Sequence, residues 1–207
     1  MTRIVGRSRD ANLLPLFRSD AQARILATIF LAPDDVPTHV RAVAARTGLP
    51  YSTVQREISR LEDARLVESR VIGRSKVVRP NPSSPYFEEL TSLLLKSYGP
   101  ATVLGAVLRG RGGVREAYIY GSWAARYLGD PGHDPRDIDV VVVVDRTADR
   151  FAIEDALASA GEQLGRQVNP VLVAEQDWDE AASPFIRTIR SRPVVGVETS
   201  GDDDVDR

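Results

Sequence analysis

The sequence predicts an α+β fold in two parts, a helical first part that ends in a β-hairpin and an α/β second part. Three observations predict it. Apolar residues recur at helical spacing in the first third of the chain. Two short β-branched runs separated by a glycine-containing turn follow. β-branched strands then alternate with helical segments, and 207 residues suffice for one large domain or two small ones, each with its own core.

Composition restricts the class of protein. Hydrophobic residues make up 43% and charged residues 27%, which is typical of a globular protein and argues against disorder, collagen or a coiled coil. No apolar run approaches the roughly 20 residues of a membrane span, and the N-terminus lacks the apolar segment of a signal peptide. The absence of cysteine excludes disulfides and thiolate metal sites. We therefore expect a cytoplasmic protein with no membrane partner.

Charge is distributed unevenly along the chain. Residues 1–81 hold 14 Lys and Arg against 8 Asp and Glu, a net charge of +6, whereas residues 100–207 hold 12 against 19, a net charge of −7. A polyanion is attracted to the first part and repelled by the second. If the protein binds a nucleic acid, we expect the first part to do so.

The first part is predicted to contain three helices and a hairpin. Ser19 or Asp20 can cap the first helix, and Thr38 the second. Gly48 suits the end of the second helix, because glycine readily adopts the left-handed conformation. The third helix has a predicted buried stripe of Val54, Ile58 and Leu61, and the predicted strands are 66–72 and 76–79, joined by a turn at 73–75.

The second part is predicted to alternate helices and strands. The predicted helices are 86–97, 100–109, one from Ser122, 150–164 and 184–191, and the predicted strands are 117–120, 138–144, 168–173 and 193–197. The Pro- and Ser-rich segment 79–85 is the predicted linker. The predicted organisation is a flexible arm (1–12), a helix and hairpin domain (13–81), a linker with connecting helices (82–112), an α/β domain (113–198) and an acidic disordered tail (199–207).

The helices and the basic hairpin together form the pattern of a winged helix-turn-helix domain. A helix of this kind fits the major groove of double-stranded DNA, where its polar side chains reach base edges. Basic residues on the hairpin would contact phosphates, so binding should weaken with salt. The candidate DNA-binding residues are Ser52, Thr53, Gln55, Arg56, Arg60, Arg70, Arg74, Lys76 and Arg79. The alternatives are a three-helix core with solvated arginines and a winged helix that binds a protein.

A second group of residues indicates a phosphate and metal site. Asp137 and Asp139 enter a strand of five valines, and side chains at i and i+2 on a strand project to the same face. A cation between them would offset their repulsion, and Mg²⁺ commonly takes one or two carboxylates plus substrate phosphates. Upstream, Gly121 allows a phosphate to approach the backbone, and Ser122 adds a hydroxyl at a helix start. ATP or another NTP would suit this site, and a solvated strand end is the alternative.

The pair Gly121-Ser122 followed by Asp137-x-Asp139 resembles the signature of the nucleotidyltransferase superfamily, which includes minimal bacterial members. The first part resembles the winged helices of bacterial ArsR- and MarR-like regulators. Over residues 13–198 the chain looks like bacterial proteins that fuse these two parts and are described as transcriptional regulators. The resemblance implies that Asp137 and Asp139 are metal ligands and catalytic residues, and that Gly121 and Ser122 bind phosphate.

The sequence departs from the resembled family at one position. The family places a third carboxylate on the next central strand, where this chain has Asn169. That carboxylate helps hold the catalytic metal and helps deprotonate the attacking hydroxyl, and a neutral asparagine cannot act as a general base. Pro170 limits the pairing of that strand, and the alternative acid, Glu175, lies beyond the strand. Nucleotide binding can therefore persist where nucleotidyl transfer is lost.

Three functions follow from these patterns. The first is a DNA-binding transcriptional regulator that senses a nucleotide or another phosphorylated small ligand. The second is an active Mg²⁺-dependent nucleotidyltransferase that moves NMP from NTP to a hydroxyl, and the third is an antitoxin-like partner protein. Because winged-helix regulators often bind DNA as dimers, we expect a homodimer. The apolar stripes of the connecting helices would form its seam or pack the domains together: Leu90, Leu93, Leu94, Val103, Leu104, Val107 and Leu108.

Overall fold

The computed structural model describes residues 16–33, 38–131 and 134–199 and is a mixed α+β fold with two small sheets, as predicted. The predicted arm lies outside these residues, as does the predicted tail except Thr199. The described elements are α1 (Asp20–Phe30), β1 (Thr38–His39), α2 (Val40–Thr47), α3 (Tyr51–Asp63), β2 (Val67–Ile72), β3 (Ser75–Pro80), α4 (Phe87–Tyr98), α5 (Pro100–Leu108), β4 (Val114–Tyr120), α6 (Gly121–Tyr127), β5 (Asp137–Val144), α7 (Arg150–Leu164), β6 (Gln167–Ala174), α8 (Glu175–Asp179), α9 (Pro184–Arg190) and β7 (Val195–Val197). No helix in this part of the chain is long and apolar enough to cross a bilayer.

The N-terminal unit, α1 to α4 with β1 to β3, has its own hydrophobic core. Ser19 caps α1 by accepting a hydrogen bond from the backbone N–H of Gln22, and Gly48 ends α2 with φ +67°, as predicted. The prediction that Thr38 caps α2 is wrong. Thr38 lies in β1 opposite Val78, and His39 occupies the N-cap position. The predicted stripe of α3 is confirmed, because Val54, Ile58 and Leu61 are all buried.

The segment predicted as a linker is held in place. Arg79 and Pro80 belong to β3, which pairs with β2 in the antiparallel order β1-β3-β2. Asn81 donates its backbone N–H to the carbonyl of Leu66 and its side-chain amide to the carbonyl of Arg65. The chain therefore leaves the hairpin along a fixed path. The polar composition of this segment reflects turn hydrogen bonds.

Of the two connecting helices, α4 packs into the core of the N-terminal unit and α5 packs into the second core. Leu94 and Tyr98 on α4 are buried against α1, whereas Leu104 and Leu108 on α5 are buried in the second core, against α7 and the four-stranded sheet. The change from one core to the other occurs at Gly99, between the two helices. The apolar stripes of these helices thus serve packing within the chain, and the homodimer stays a prediction.

The C-terminal unit, α5 to α9 with β4 to β7, is built on a sheet of order β6-β5-β4-β7. β5 and β6 are parallel, and β4 is antiparallel to β5 and β7. Val140 and Val142 face the core with α5 and α7, whereas Val141 and Val143 pack against Trp178, Ile186 and Ile189 on the opposite face. The five-valine strand is therefore covered on both faces, as its unbroken apolar run indicates.

Two arginines join the units, the half-buried Arg46 and the buried Arg166. Arg46 on α2 donates to the carbonyl of Leu164, 2.9 Å away at the end of α7. Arg166, which is 9% exposed, donates to the carbonyl of Leu31 at 3.1 Å and forms an ion pair with Asp134. Because a buried guanidinium needs partners for its N–H groups, these contacts fix the position of one unit against the other.

The close packing of Arg46 explains why residue 165 is a glycine. A Cβ on Gly165 would lie 2.6 Å from Cζ of Arg46, and Gly165 also has a positive φ of +65°. Burial, and then the neighbouring charge of Arg166, lowers the pKa of Arg46. The Nε atom of Arg46 is buried with no hydrogen-bond partner within the described ranges. The contact between the units is therefore tight and electrostatically costly.

Replacing Arg166 by Met should destabilise the protein by about 3 kcal/mol, because the change leaves the carboxylate of Asp134 without its cation. Urea unfolding followed by circular dichroism measures the effect. Arg146→Met is the matched control, since Arg146 is exposed and forms no ion pair with the described residues. Equal stability of the two variants would contradict the role given to Arg166.

Candidate functional site

The two aspartates of the Asp-x-Asp motif lie on one face at the start of β5. In the parallel pairing with β6, Asp139 is opposite Asn169. The side-chain Nδ2 of Asn169 is 3.2 Å from Oδ1 of Asp139 and 3.4 Å from Oδ2 of Asp137. One amide nitrogen therefore donates to both carboxylates. It lies between them, in the position expected for a cation. We call Asp137, Asp139, Asn169 and Gly121 the acidic site.

The orientation of the Asn169 amide follows from a second hydrogen bond. Gln167, two residues earlier on the same face of β6, donates from Nε2 to Oδ1 of Asn169 at 3.0 Å. The oxygen of Asn169 is thus already an acceptor, and its NH₂ group faces the carboxylates. A flipped amide would place its oxygen against Asp137 and Asp139. Ionised carboxylates can only accept hydrogen bonds, so all of these bonds would be lost.

Gly121 is needed for the position of Asp139. Tyr120, the last residue of β4, is paired with Asp139 across the sheet, so Gly121 and Ser122 follow directly beside the acidic site. Gly121 has φ +72°, and a Cβ there would lie 2.5 Å from Oδ2 of Asp139. A Cβ at this position would therefore force the carboxylate of Asp139 to move. The exposed Ser122 hydroxyl makes no hydrogen bond with the residues described.

Tyr120 supplies a neutral phenol beside the site. Burial, and then the charge of Asp139, raises the pKa of Tyr120 above its usual range. Its ring makes an edge contact with Phe185, with centroids 5.8 Å apart. The phenol therefore stays protonated at neutral pH, where it remains a potential hydrogen-bond donor.

The number of acids around Asp137 and Asp139 decides what kind of metal site could form there. Within the described ranges, no group of three or more His, Cys, Asp or Glu side chains could hold a metal ion. Glu175, the alternative acid, follows the far end of β6, six residues and about 20 Å from Asn169 along the strand. There it lies 3.8 Å from Arg115. Among the described residues, the third carboxylate of two-metal catalysis is therefore missing beside Asp137 and Asp139.

The exposed face of α3 carries most of the predicted base-reading residues. Ser52, Gln55 and Arg56 are exposed, and Thr53 is half-buried. Arg60 is turned towards the buried Glu57, with which it forms an ion pair at 3.3 Å. Ser59, which is not among the predicted residues, is also exposed. Its spacing of seven residues from Ser52 and four from Gln55 places it on the same helical stripe.

The basic residues of the hairpin are divided between its two faces and its turn. Lys76 points towards α3 and binds Glu62 at 2.8 Å, whereas Arg79 pairs with Glu68 on the opposite face at 3.2 Å. Arg70 shares the face of Arg79, because the register sets Arg70 opposite Val77 and Glu68 opposite Arg79. Arg74 lies in the exposed turn. The four residues therefore do not form one surface.

Trp123, which directly follows Ser122, is a core residue. It is 5% exposed, lies in the core with α5 and α7, and stacks on Tyr127 with centroids 5.1 Å apart. Sequence reasoning also missed Gln167 and Arg166. The alternation of side chains along β6 could have paired Gln167 with Asn169, but no local signal identifies a buried interdomain arginine.

Comparison of the chain with protein-family models, with curated proteins and with solved structures finds no match.

Gly121→Ala should destabilise the protein by at least about 1 kcal/mol more than Gly110→Ala. The two glycines have nearly the same φ, +72° and +73°, but a Cβ at Gly110 meets nothing within 4 Å, whereas one at Gly121 meets Asp139. Both substitutions introduce backbone strain, and only Gly121→Ala also displaces the carboxylate of Asp139. Chemical unfolding measures the difference. Equal losses would mean that Asp139 moves aside without cost.

The contact between α3 and the hairpin should depend on pH. Burial raises the pKa of Glu62, but hydrogen bonds from Lys76 and Ser69 outweigh it and lower that pKa overall. A carboxyl whose pKa is lowered by folding stabilises the fold above its unfolded pKa, about 4.3, and this contribution is lost as pH falls through the folded pKa.

We therefore expect Glu62→Gln to cost up to about 1 kcal/mol at pH 7 and progressively less below pH of about 4. Unfolding midpoints of wild type and variant, measured from pH 7 to well below pH of about 4, test this, with the exposed Glu89→Gln as the control. A cost that does not change with pH would contradict the assignment.

Proposed function

We propose that the protein is a DNA-binding transcriptional regulator whose C-terminal unit is nucleotidyltransferase-like and binds a nucleotide or another phosphorylated small ligand without transferring it. The proposal gives the N-terminal unit the role of a winged helix-turn-helix domain. It includes a homodimer, since two copies of α3 about 34 Å apart would read successive turns of one DNA face.

The exposed stripe on α3 is the observation that carries the DNA-binding half of the proposal. Ser52, Gln55, Arg56 and Ser59 are exposed on a helix whose opposite face is buried. Hydroxyl, amide and guanidinium groups are the side chains that read base edges in the major groove. Arg74 at the hairpin turn forms no ion pair with the described residues, so its charge is available to a phosphate.

The position of Asn169 supports binding without transfer. In this proposal a Mg²⁺ that carries the phosphates of ATP or another NTP displaces the Asn169 amide from between Asp137 and Asp139, and Gly121 keeps the adjacent backbone close to the carboxylates. Nucleotidyl transfer would also require a group that helps deprotonate the acceptor hydroxyl. The amide of Asn169 is a donor to the carboxylates and cannot take that proton.

Fluorescence anisotropy with DNA from the upstream region of the protein's own gene tests the proposal. We expect binding that resists competitor DNA, weakens with salt and shifts when Mg²⁺-ATP is added. Arg56→Ala should weaken binding by about tenfold and relax base preference, and Arg74→Ala should reduce the salt slope by about one. Arg146→Ala, a loss of exposed charge in the C-terminal unit, should change neither. Absence of specific, salt-sensitive binding to any genomic fragment would refute the proposal.

A further inference from the structure

The carboxylate of Glu57 is buried on the side of helix α3 that faces the start of α1. The residue is only 5% exposed, although charged side chains are rarely buried to this extent without partners. Gln22 donates from Nε2 to Oε1 of Glu57 at 2.9 Å. Arg18 and Arg60 both donate to its Oε2, at 2.5 and 3.3 Å. Because a buried charge must be paired and hydrogen-bonded, Glu57 fixes the positions of both guanidinium groups.

The two arginines are held side by side at the surface. Their hydrogen bonds end on the same carboxylate oxygen, so the two guanidinium groups are neighbours. The side chains of Arg18 and Arg60 are 56% and 58% exposed, whereas that of Glu57 is 7% exposed. Two cations against one carboxylate leave an excess of positive charge. Each guanidinium has five N–H groups, so most of them remain for an acceptor outside the protein.

This arginine pair flanks the exposed stripe of α3 on the side away from the hairpin. At 3.6 residues per turn, Arg60 and Glu62 lie about 80° to either side of Ser52. Glu62 binds a lysine of the hairpin, so its flank of the helix faces β2 and β3. Arg60 is joined to Arg18 through the shared carboxylate, so its flank faces the start of α1. The stripe therefore lies between the hairpin and the arginine pair.

DNA presents phosphates on both flanks of a helix that occupies its major groove, because the groove is bordered by the two backbones. Contacts with phosphates fix the orientation of the helix and carry no sequence information. Arg74, in the hairpin turn, is the candidate contact on one flank. Arginine suits the other flank, since its planar fork of N–H groups matches the oxygens of a phosphate.

We propose that Arg18 and Arg60, held in place by Glu57, bind phosphates of the DNA backbone that borders α3 on the α1 side. The inference rests on the proposed DNA-binding function. It adds Arg18 to the DNA interface and changes the role of Arg60 from reading bases to positioning the helix. Because every duplex has the same backbone, the pair contributes equally to specific and non-specific binding.

Fluorescence anisotropy of the whole protein at several salt concentrations tests the pair with two probes, DNA from upstream of the protein's own gene and a random-sequence duplex of the same length. Arg18→Gln and Arg60→Gln should each weaken binding to both probes by the same factor, about fivefold near 0.15 M salt, and reduce the salt slope by about one. Arg18→Lys keeps the charge and should keep the slope. Arg115→Gln is the matched control and should change neither, since Arg115 is 54% exposed and paired with Asp145 at 2.7 Å, but lies in the C-terminal unit.

The ratio of the affinities for the two probes separates a phosphate contact from a base contact. Arg56→Ala should lower this ratio, whereas Arg18→Gln and Arg60→Gln should leave it unchanged. A variant that merely folds less completely lowers the active fraction at every salt concentration and leaves the slope as it was. An unchanged slope for either glutamine variant, with DNA binding otherwise intact, would overturn this inference and leave the proposed regulator standing. So would a loss confined to the upstream probe. Absence of binding to both probes at low salt would refute the proposed function and this inference together.

Discussion

Strand β5 is buried on both faces, and its pairing with β4 on one side and β6 on the other decides where the residues of the acidic site lie. The alternating valines of the strand are divided between two layers of helices, so a shift of one residue would exchange every side chain between them. That register fixes Asp139 opposite both Tyr120 and Asn169. The geometry of the acidic site is thus a consequence of core packing, and the core strongly resists its displacement.

The same edge of the C-terminal unit is tied to the N-terminal unit through one guanidinium. Arg166 directly precedes β6, and its partner Asp134 lies three residues before Asp137. Arg166 also donates to the carbonyl of Leu31, just after α1. A displacement at the start of β5 or β6 can therefore reach the end of the first helix through the contacts of Arg166. If a ligand at the acidic site acts on the N-terminal unit, the contacts of Arg166 offer a physical link from that site to the first helix.

Sequence reasoning predicted the elements that periodicity governs and missed those that tertiary contacts create. The stripe of α3 and the apolar run of β5 carry strong local signals. Strand β4 begins at Val114, before its predicted start, because polar Arg115 and Glu116 at a bulge mask the pattern. The short helix α8 was not predicted at all. Asn169 was recognised as a departure, but the pairing of its amide with two carboxylates depends on the β5–β6 register, which no local pattern specifies.

The central claim is that the Asn169 amide occupies the place of a cation between Asp137 and Asp139. Calorimetric titration of Mg²⁺ into wild type and Asn169→Asp, with unfolding measured in parallel, tests it directly. The account predicts that the variant is less stable without Mg²⁺, because three carboxylates then repel, and that it binds Mg²⁺ at least about tenfold more tightly and regains stability. A variant that is as stable as wild type without Mg²⁺ and binds the ion no more tightly would contradict it.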